Sequence, residues 1–305
     1  MSFRAAVAVA LAGGFRGTPN TSTEFARALV TPLVAAGLRV DVFAMGDGYD
    51  EARWRDWVKP AAPHSFTFVA HGPPVRSVND SHFHCDCATW CVNYEPTVHE
   101  QFRKLEETWR VVQRANVTYD YVIKTRNDLL FHPNQTFKPC WLLELPPSSK
   151  VALANDVELN HAPVGVRWNE RGGNAAWPQQ PLPYYPFHVS DQFLAGTPAS
   201  LAPFFELDGA PQPSGGKWEV PGRSEACPKV PWNIESVAAR ALHDAGVGVF
   251  AVSLQLRKAQ LQAGGLYHAW LAEPCRACYD CVNHHHQLPS ALVDDGGKSC
   301  NVSIG

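Results

Sequence analysis

A chain of 305 residues, 45% apolar and 18% charged, is long enough to bury one elaborated core or two small ones, and its composition is that of a globular protein. Its 26 basic and 29 acidic residues leave a formal net charge of −3, so there is no electrostatic case for nucleic acid as a partner. No apolar run in the sequence approaches the roughly 20 residues that a membrane-spanning helix needs.

The opening MSFRAAVAVALAGG admits two readings. Arg4, the apolar run and Ala10-Leu11-Ala12 resemble a signal-peptide remnant with its cleavage site. The same run also reads as a buried first strand over residues 5–12, closed by the glycine-rich turn Gly13-Gly14-Phe15-Arg16-Gly17. The strand reading is preferred because a helix follows at once, and that helix would lose its partner without it. Residues 21–38 carry the helix signal. Thr21 and Glu24 have capping-box spacing, Phe25, Leu29, Leu33 and Val34 recur at helical intervals, and Gly37 ends the run. Residues 39–45 (RVDVFAM) then read as a second strand. Strand, turn, helix and strand in this order open a parallel α/β sheet.

Residues 65–70 are the candidate third strand, and residues 79–94 an irregular insertion. Residues 97–116 form an amphipathic helix with Phe102, Leu105, Trp109 and Val112 on one stripe. The next strand, residues 121–125, is apolar enough for a central position, and residues 150–154 make another short strand. Residues 163–186, rich in Gly, Pro, Asn and Trp, read as a long loop over the active face, and residues 209–231 as a second one. Order resumes over residues 189–196, a helix is expected over 234–245 and a strand over 247–254. Residues 1–273 are expected to form one domain, with a Cys- and His-rich tail, 274–305, packed on it.

Nine cysteines, Cys85, Cys87, Cys91, Cys140, Cys227, Cys275, Cys278, Cys281 and Cys300, lie in loop-like segments. That pattern suits disulfides in an oxidising compartment. Five Asn-x-Ser/Thr sequons, at Asn20, Asn79, Asn116, Asn134 and Asn301, point the same way. The secretory-pathway lumen is the expected location, with the targeting segment absent or incomplete here and the cytoplasm as the alternative. His82 and His84 beside the first cysteine group, and His284, His285 and His286 beside the last, also permit a zinc site. Two spaced Cys-x-x-Cys units are absent, and disulfides are preferred.

The chemistry concentrates in YDYVIKTRNDLLF, residues 119–131. Open α/β sheets bind ligands at the carboxyl ends of their strands. Asp128 sits just past the expected central strand, where a carboxylate suits a hard divalent cation, Mn²⁺ or Mg²⁺. If that strand stays extended through Asn127, then Lys124, Arg126 and Asp128 share one face, with both cations placed to meet phosphate oxygens. The competing reading is a local Arg126–Asp128 ion pair. Arg16, in the first turn, is a second phosphate candidate, beside Gly13 and Gly14, which let the backbone come close. Asp47, after the second strand, is a candidate ribose or base contact. Asp191 is the candidate acceptor-side carboxylate, a general base, unless it or Ser190 merely caps the following helix. Glu235 is a helix cap or an acceptor contact.

This segment resembles the "yD-hydrophobic-hydrophobic-x-x-R-x-D-hydrophobic-x-F" stretch of GT-A-type glycosyltransferases of the polysaccharide and lipopolysaccharide kind, where it stands in place of a metal-binding Asp-x-Asp. AVAVALAGGFRG with its helix and VDVFAMGD resembles the nucleotide-binding opening of such enzymes. FHVSDQFLAGTPASL resembles their acceptor-side segment, and NIESVAARALHDAGVGVF their later helix and strand. The order matches over about residues 5–254. The resemblance implies a GT-A-like fold with a mixed, mainly parallel sheet flanked by helices. It also implies a nucleotide-sugar donor, and a glycan or a protein- or lipid-linked hydroxyl as acceptor. Where such enzymes carry Asp-x-Asp, this chain has Arg126-Asn127-Asp128, with one carboxylate fewer. That difference keeps open a non-catalytic carbohydrate-binding relative. A disulfide- or zinc-stabilised secreted interaction module is the third reading.

Overall fold

The computed structural model describes residues 3–71, 95–155, 157–159, 187–189, 191–207, 238, 241–242, 245–252, 254 and 256–259. The N-terminal apolar run is strand β1 (Ala6–Ala12), paired in parallel on both sides. Its residues alternate between the two faces of the sheet. Val7, Val9 and Leu11 enter one core cluster, while Ala6, Ala8 and Ala10 enter the other. The alanines leave room on that second face for helix α4 (Glu95–Arg114) to lie close against β1.

The first helix starts earlier than the sequence suggests. Thr18 is its N-cap, accepting from Thr21 N at 3.2 Å, while Thr21 Oγ1 accepts from Thr18 N at 2.9 Å. The capping box is therefore Thr18 with Thr21, and Glu24 instead pairs with Arg27 at 2.6 Å. Pro19, pre-set for the first helical position and without an N–H to satisfy, draws the start back. The helix runs as α1 (Pro19–Phe25), a π-helical turn (Ala26–Val30) and α2 (Thr31–Ala35). Pro32 explains the change of register. It has no N–H to give Ala28, and the Ala28 carbonyl accepts instead from Phe137 N at 2.7 Å. Gly37, at φ 78°, ends the element.

Strand β2 (Arg39–Asp47) follows, then α3 (Glu51–Val58), which the sequence reading missed. Its charged residues mask a short apolar stripe, Trp54, Trp57 and Val58, all buried. β3 (Ser65–His71), α4 and β4 (Tyr121–Thr125) lie where expected, to within two residues at their ends. Beyond them come β5 (Leu129–Phe131), α5 (Cys140–Leu143), β6 (Val151–Ala154), β7 (Val157–Leu159), β8 (Phe187–Val189), β9 (Leu194–Gly196), α6 (Pro198–Phe205), β10 (Gly248–Ala251) and β11 (Leu256–Lys258).

Among the described residues the main sheet has seven strands in the order β10-β6-β9-β4-β1-β2-β3. All pair in parallel except β9, which runs antiparallel to both β4 and β6. α1, α2, α3 and α5 cover one face, and α4 and α6 the other. This is the mixed, mainly parallel α/β architecture expected from the sequence. β5 pairs with β11, and β7 with β8, in small antiparallel ribbons.

At the amino ends of the strands a buried polar network ties the sheet together. Asp41 accepts from Arg39 Nε at 2.8 Å, Ser65 Oγ at 2.7 Å and the Tyr119 hydroxyl at 2.9 Å. Burial, with the bond to Asp41 and its charge, pushes the Tyr119 phenol pKa up. Asp120 Oδ2 accepts from Ala6 N at 2.8 Å and so closes the end of β1.

Cys140 is buried and disulfide-bonded. The other eight cysteines, the two long loops, the tail and Glu235 lie outside the described residues. Of the helix expected over 234–245, residues 238, 241 and 242 are helical. Among the described residues, no helix is long and apolar enough to cross a membrane.

Candidate active site

β4 is central, with β1 on one side and β9 on the other. The carboxyl ends of the parallel strands β1, β2 and β4 gather the turns that follow them. Gly13 N donates to Met45 O at 3.2 Å, and Arg16 Nη1 lies 4.0 Å from Asp128 Oδ2. Gly13 sits at φ 126°, a conformation that only glycine adopts readily. A Cβ on Gly14 would meet nothing within 4 Å, whereas one on Gly17 would lie 2.5 Å from the Trp57 ring. The turn is thus shaped by Gly13 and Gly17, with none of the described residues against Gly14.

The strand does not stay extended through Asn127. β4 ends at Thr125, the chain turns at Asn127 and Asp128, and β5 then leaves to pair with β11. An Asn-Asp pair favours such a turn, because both side chains compete with the ladder for backbone bonds. The turn brings Arg126 and Asp128 face to face. Arg126 Nε donates to Oδ1 at 2.9 Å and Nη2 to Oδ2 at 2.8 Å, a bidentate pair. Lys124 remains within β4, in register with Ala10 and Leu194, and is buried with its Nζ 5.6 Å from the Phe204 ring of α6.

Asp191 joins the same constellation from the far side of the sheet's reversal. Its Oδ2 accepts from Arg126 Nη1 at 3.3 Å and from Gln101 Nε2 at 2.8 Å. It does not cap the helix that follows. β9 intervenes, and the N-cap of α6 is Thr197, whose Oγ1 accepts from Ser200 N at 3.2 Å. Arg126 is therefore the hub. Its side chain is 17% exposed, against 2% for Asp128. Burial opposes its charge, but the hydrogen bonds and charges of Asp128 and Asp191 outweigh burial and push its pKa up. Gln101 was invisible to sequence reading, because nothing marks one glutamine on a polar helix face.

Two buried polar atoms at this strand end, Thr125 Oγ1 and Asn127 Nδ2, have no hydrogen-bond partner among the described residues. Asp47 ends β2 and accepts from the Tyr49 hydroxyl at 3.1 Å. Beside it, Gly46 leaves space that Trp54 uses: a Cβ there would lie 2.7 Å from the indole Nε1. Phe15 packs edge-on against Trp54 at 5.3 Å, and Arg53 lies over Phe15 at 4.4 Å. At the end of the neighbouring strand, His71 bonds Glu107 at 2.8 Å and contacts Arg103, a cluster that the sequence reading did not anticipate.

A divalent cation at Asp128 would need several oxygen or nitrogen ligands. Among the described residues no group of three His, Cys, Asp or Glu is arranged to hold one. Both oxygens of Asp128 already accept from Arg126. Among the described residues, the group that engages Asp128 most closely is a guanidinium.

Among solved structures, the chain is similar to the mannosyltransferase Ktr4p from S. cerevisiae, at 11% identity and a TM-score of 0.49, over 83% of this chain and 70% of that one. Ktr4p in complex with GDP matches at 10% identity and a TM-score of 0.46, over 83% and 70%. Core-mannan synthase A from Aspergillus fumigatus, in a Mn/GDP form, matches at 14% and 0.44, over 84% and 75%. No family model and no curated protein matches the chain. The chemistry must be argued from this chain's own residues.

Proposed function

We propose that this chain is a glycosyltransferase that moves a sugar from a nucleotide-sugar donor to a hydroxyl of a glycan or of a protein- or lipid-linked acceptor. The observation that carries the reading is Arg126, which joins Asp128 and Asp191 at the carboxyl end of the central strand, with Arg16 close by. Breaking the bond from the anomeric carbon to phosphate leaves negative charge on a departing nucleoside diphosphate. Arg126 and Arg16 meet that charge. Asp191 takes the proton of the acceptor hydroxyl as the new carbon–oxygen bond forms, and Asp128 holds Arg126 in place. The turn at Gly13 and Gly14 admits the phosphates, and Asp47 takes the ribose or base. Lys124 adds a positive charge behind the strand end, and Glu235 is kept as an acceptor-side candidate. The work belongs to the secretory-pathway lumen, a placement supported by exposed sequon asparagines at Asn20, Asn116 and Asn134.

Release of nucleoside diphosphate from GDP- and UDP-linked hexoses, with and without simple sugar acceptors, tests this. Asp191→Asn should lower acceptor-dependent release by at least about 10²-fold, the usual range for losing a general base. One observation favours a non-catalytic carbohydrate-binding protein as the second reading: Asp191 is already held by Gln101 and Arg126. Absence of release from every donor, with glycan binding unchanged in Asp191→Asn, would decide for it.

A further inference from the structure

We propose that the Arg126 guanidinium stands in for the divalent cation of the site, so that the donor's diphosphate binds without metal. This rests on the glycosyltransferase reading and sharpens it. The placement of charge is the first support. Arg126 faces both Asp128 and Asp191, and Arg16 lies 4.0 Å from Asp128, so positive charge already stands between and beside the two carboxylates. Geometry is the second. Asp128 grips Nε and Nη2 in a fork and Asp191 takes Nη1, which fixes the guanidinium plane. Each terminal nitrogen still carries a second N–H beyond the one given to an aspartate, and an anion such as phosphate is its natural acceptor.

The third support is exclusion. A cation entering at Asp128 would have to break the bidentate pair and would then stand beside the guanidinium it had displaced. Two like charges a few ångströms apart in a largely buried site repel strongly. The last is the unmet donor capacity nearby. Asn127 Nδ2, one residue from each member of the pair, is buried with no partner among the described residues. A bound diphosphate would give it one. Arg16, whose side chain is 54% exposed, is placed to close over the bound group from the other strand.

The test is calorimetric binding of GDP and UDP to the full chain, in EDTA and in Mn²⁺, with Mn²⁺ binding followed separately by electron paramagnetic resonance. The expected result is binding in EDTA within about threefold of that in Mn²⁺, well under the factor of ten that about 1.4 kcal/mol represents. No Mn²⁺ site should be lost in Asp128→Asn. Arg126→Gln should weaken diphosphate binding by about 30-fold, as expected for losing a charged hydrogen-bond donor. The exposed variant Arg16→Gln, which leaves the buried pair intact, should weaken it by about threefold to tenfold. Binding that appears only with Mn²⁺, together with a Mn²⁺ site that Asp128→Asn abolishes, overturns the inference and leaves the glycosyltransferase reading standing. No binding of either nucleotide under either condition removes both. The wild-type comparison in EDTA and Mn²⁺ decides even if Arg126→Gln does not fold.

Discussion

Replacing Asp128 by Asn keeps the shape of the side chain and removes its charge. In the native protein Asp128 is buried and holds two guanidinium nitrogens at 2.8–2.9 Å. Removing one partner of a buried pair costs about 3–5 kcal/mol, mostly because the remaining charge is stranded. Here the stranded group keeps one anion, Asp191 at 3.3 Å, and the new amide oxygen still accepts one bond. The expected loss is therefore about 2–3 kcal/mol, below the usual range for a broken buried pair. For a chain of this length that corresponds to a drop in melting temperature of roughly 3–5 °C. The control is Glu51→Gln, which breaks the Glu51–Arg55 pair, where both side chains are about half exposed. Solvent-screened pairs contribute about 0–1 kcal/mol, so this variant should melt close to wild type. Thermal and urea unfolding of the three proteins side by side measures the difference. If Asp128→Asn melts with Glu51→Gln, Arg126 and Asp128 are not a desolvated pair, and the reasoning about the site fails.

Two further outcomes follow from other parts of the fold. The Tyr119 phenol has a raised pKa in the folded protein, so folding holds its proton more tightly than the unfolded chain does. Its contribution to stability is complete below the ordinary tyrosine pKa of about 10 and is lost as pH climbs toward the folded value. Unfolding at a series of alkaline pH values should show this loss in wild type and a shallower one in Tyr119→Phe; equal slopes would refute the Asp41 network. Gly196→Ala should destabilise by about 1–3 kcal/mol through overpacking. Its Cβ would lie 2.4 Å from Ser200 Oγ and 2.9 Å from the Val151 carbonyl oxygen, and the latter belongs to a paired strand. Adding Ser200→Ala should restore only part of the loss in urea titration, and full recovery would show that the strand carbonyl is no obstacle.

Much of the fold was legible because its signals are local. The apolar run of β1, the stripe of Phe102, Leu105, Trp109 and Val112 on α4, and the five buried residues of β4 declare themselves by period and composition. The helix start was misread at Thr21 because Thr18, Thr21 and Glu24 offer two overlapping boxes, and Pro19 settles between them. α3 was missed because eight residues with alternating charges give a weak stripe, and its two tryptophans declare themselves only when packed against Phe15 and Phe25. The π-helical turn depends on Phe137, a partner remote in sequence.

The candidate site divides along the same line. Sequence alone determined that a cation and a carboxylate, Arg126 and Asp128, end the central strand, since composition and order along the chain are enough to place them. It also offered Arg16 and Asp191 as candidates without relating them. Only the tertiary structure decided that Arg126 turns back to grip Asp128 and reaches Asp191, 65 residues away, with Gln101 from α4 completing the contact. The reason is physical. A strand's period fixes which way neighbouring side chains point only while the strand lasts, and this one ends at Thr125, where the turn and the antiparallel return of β9 choose the partners.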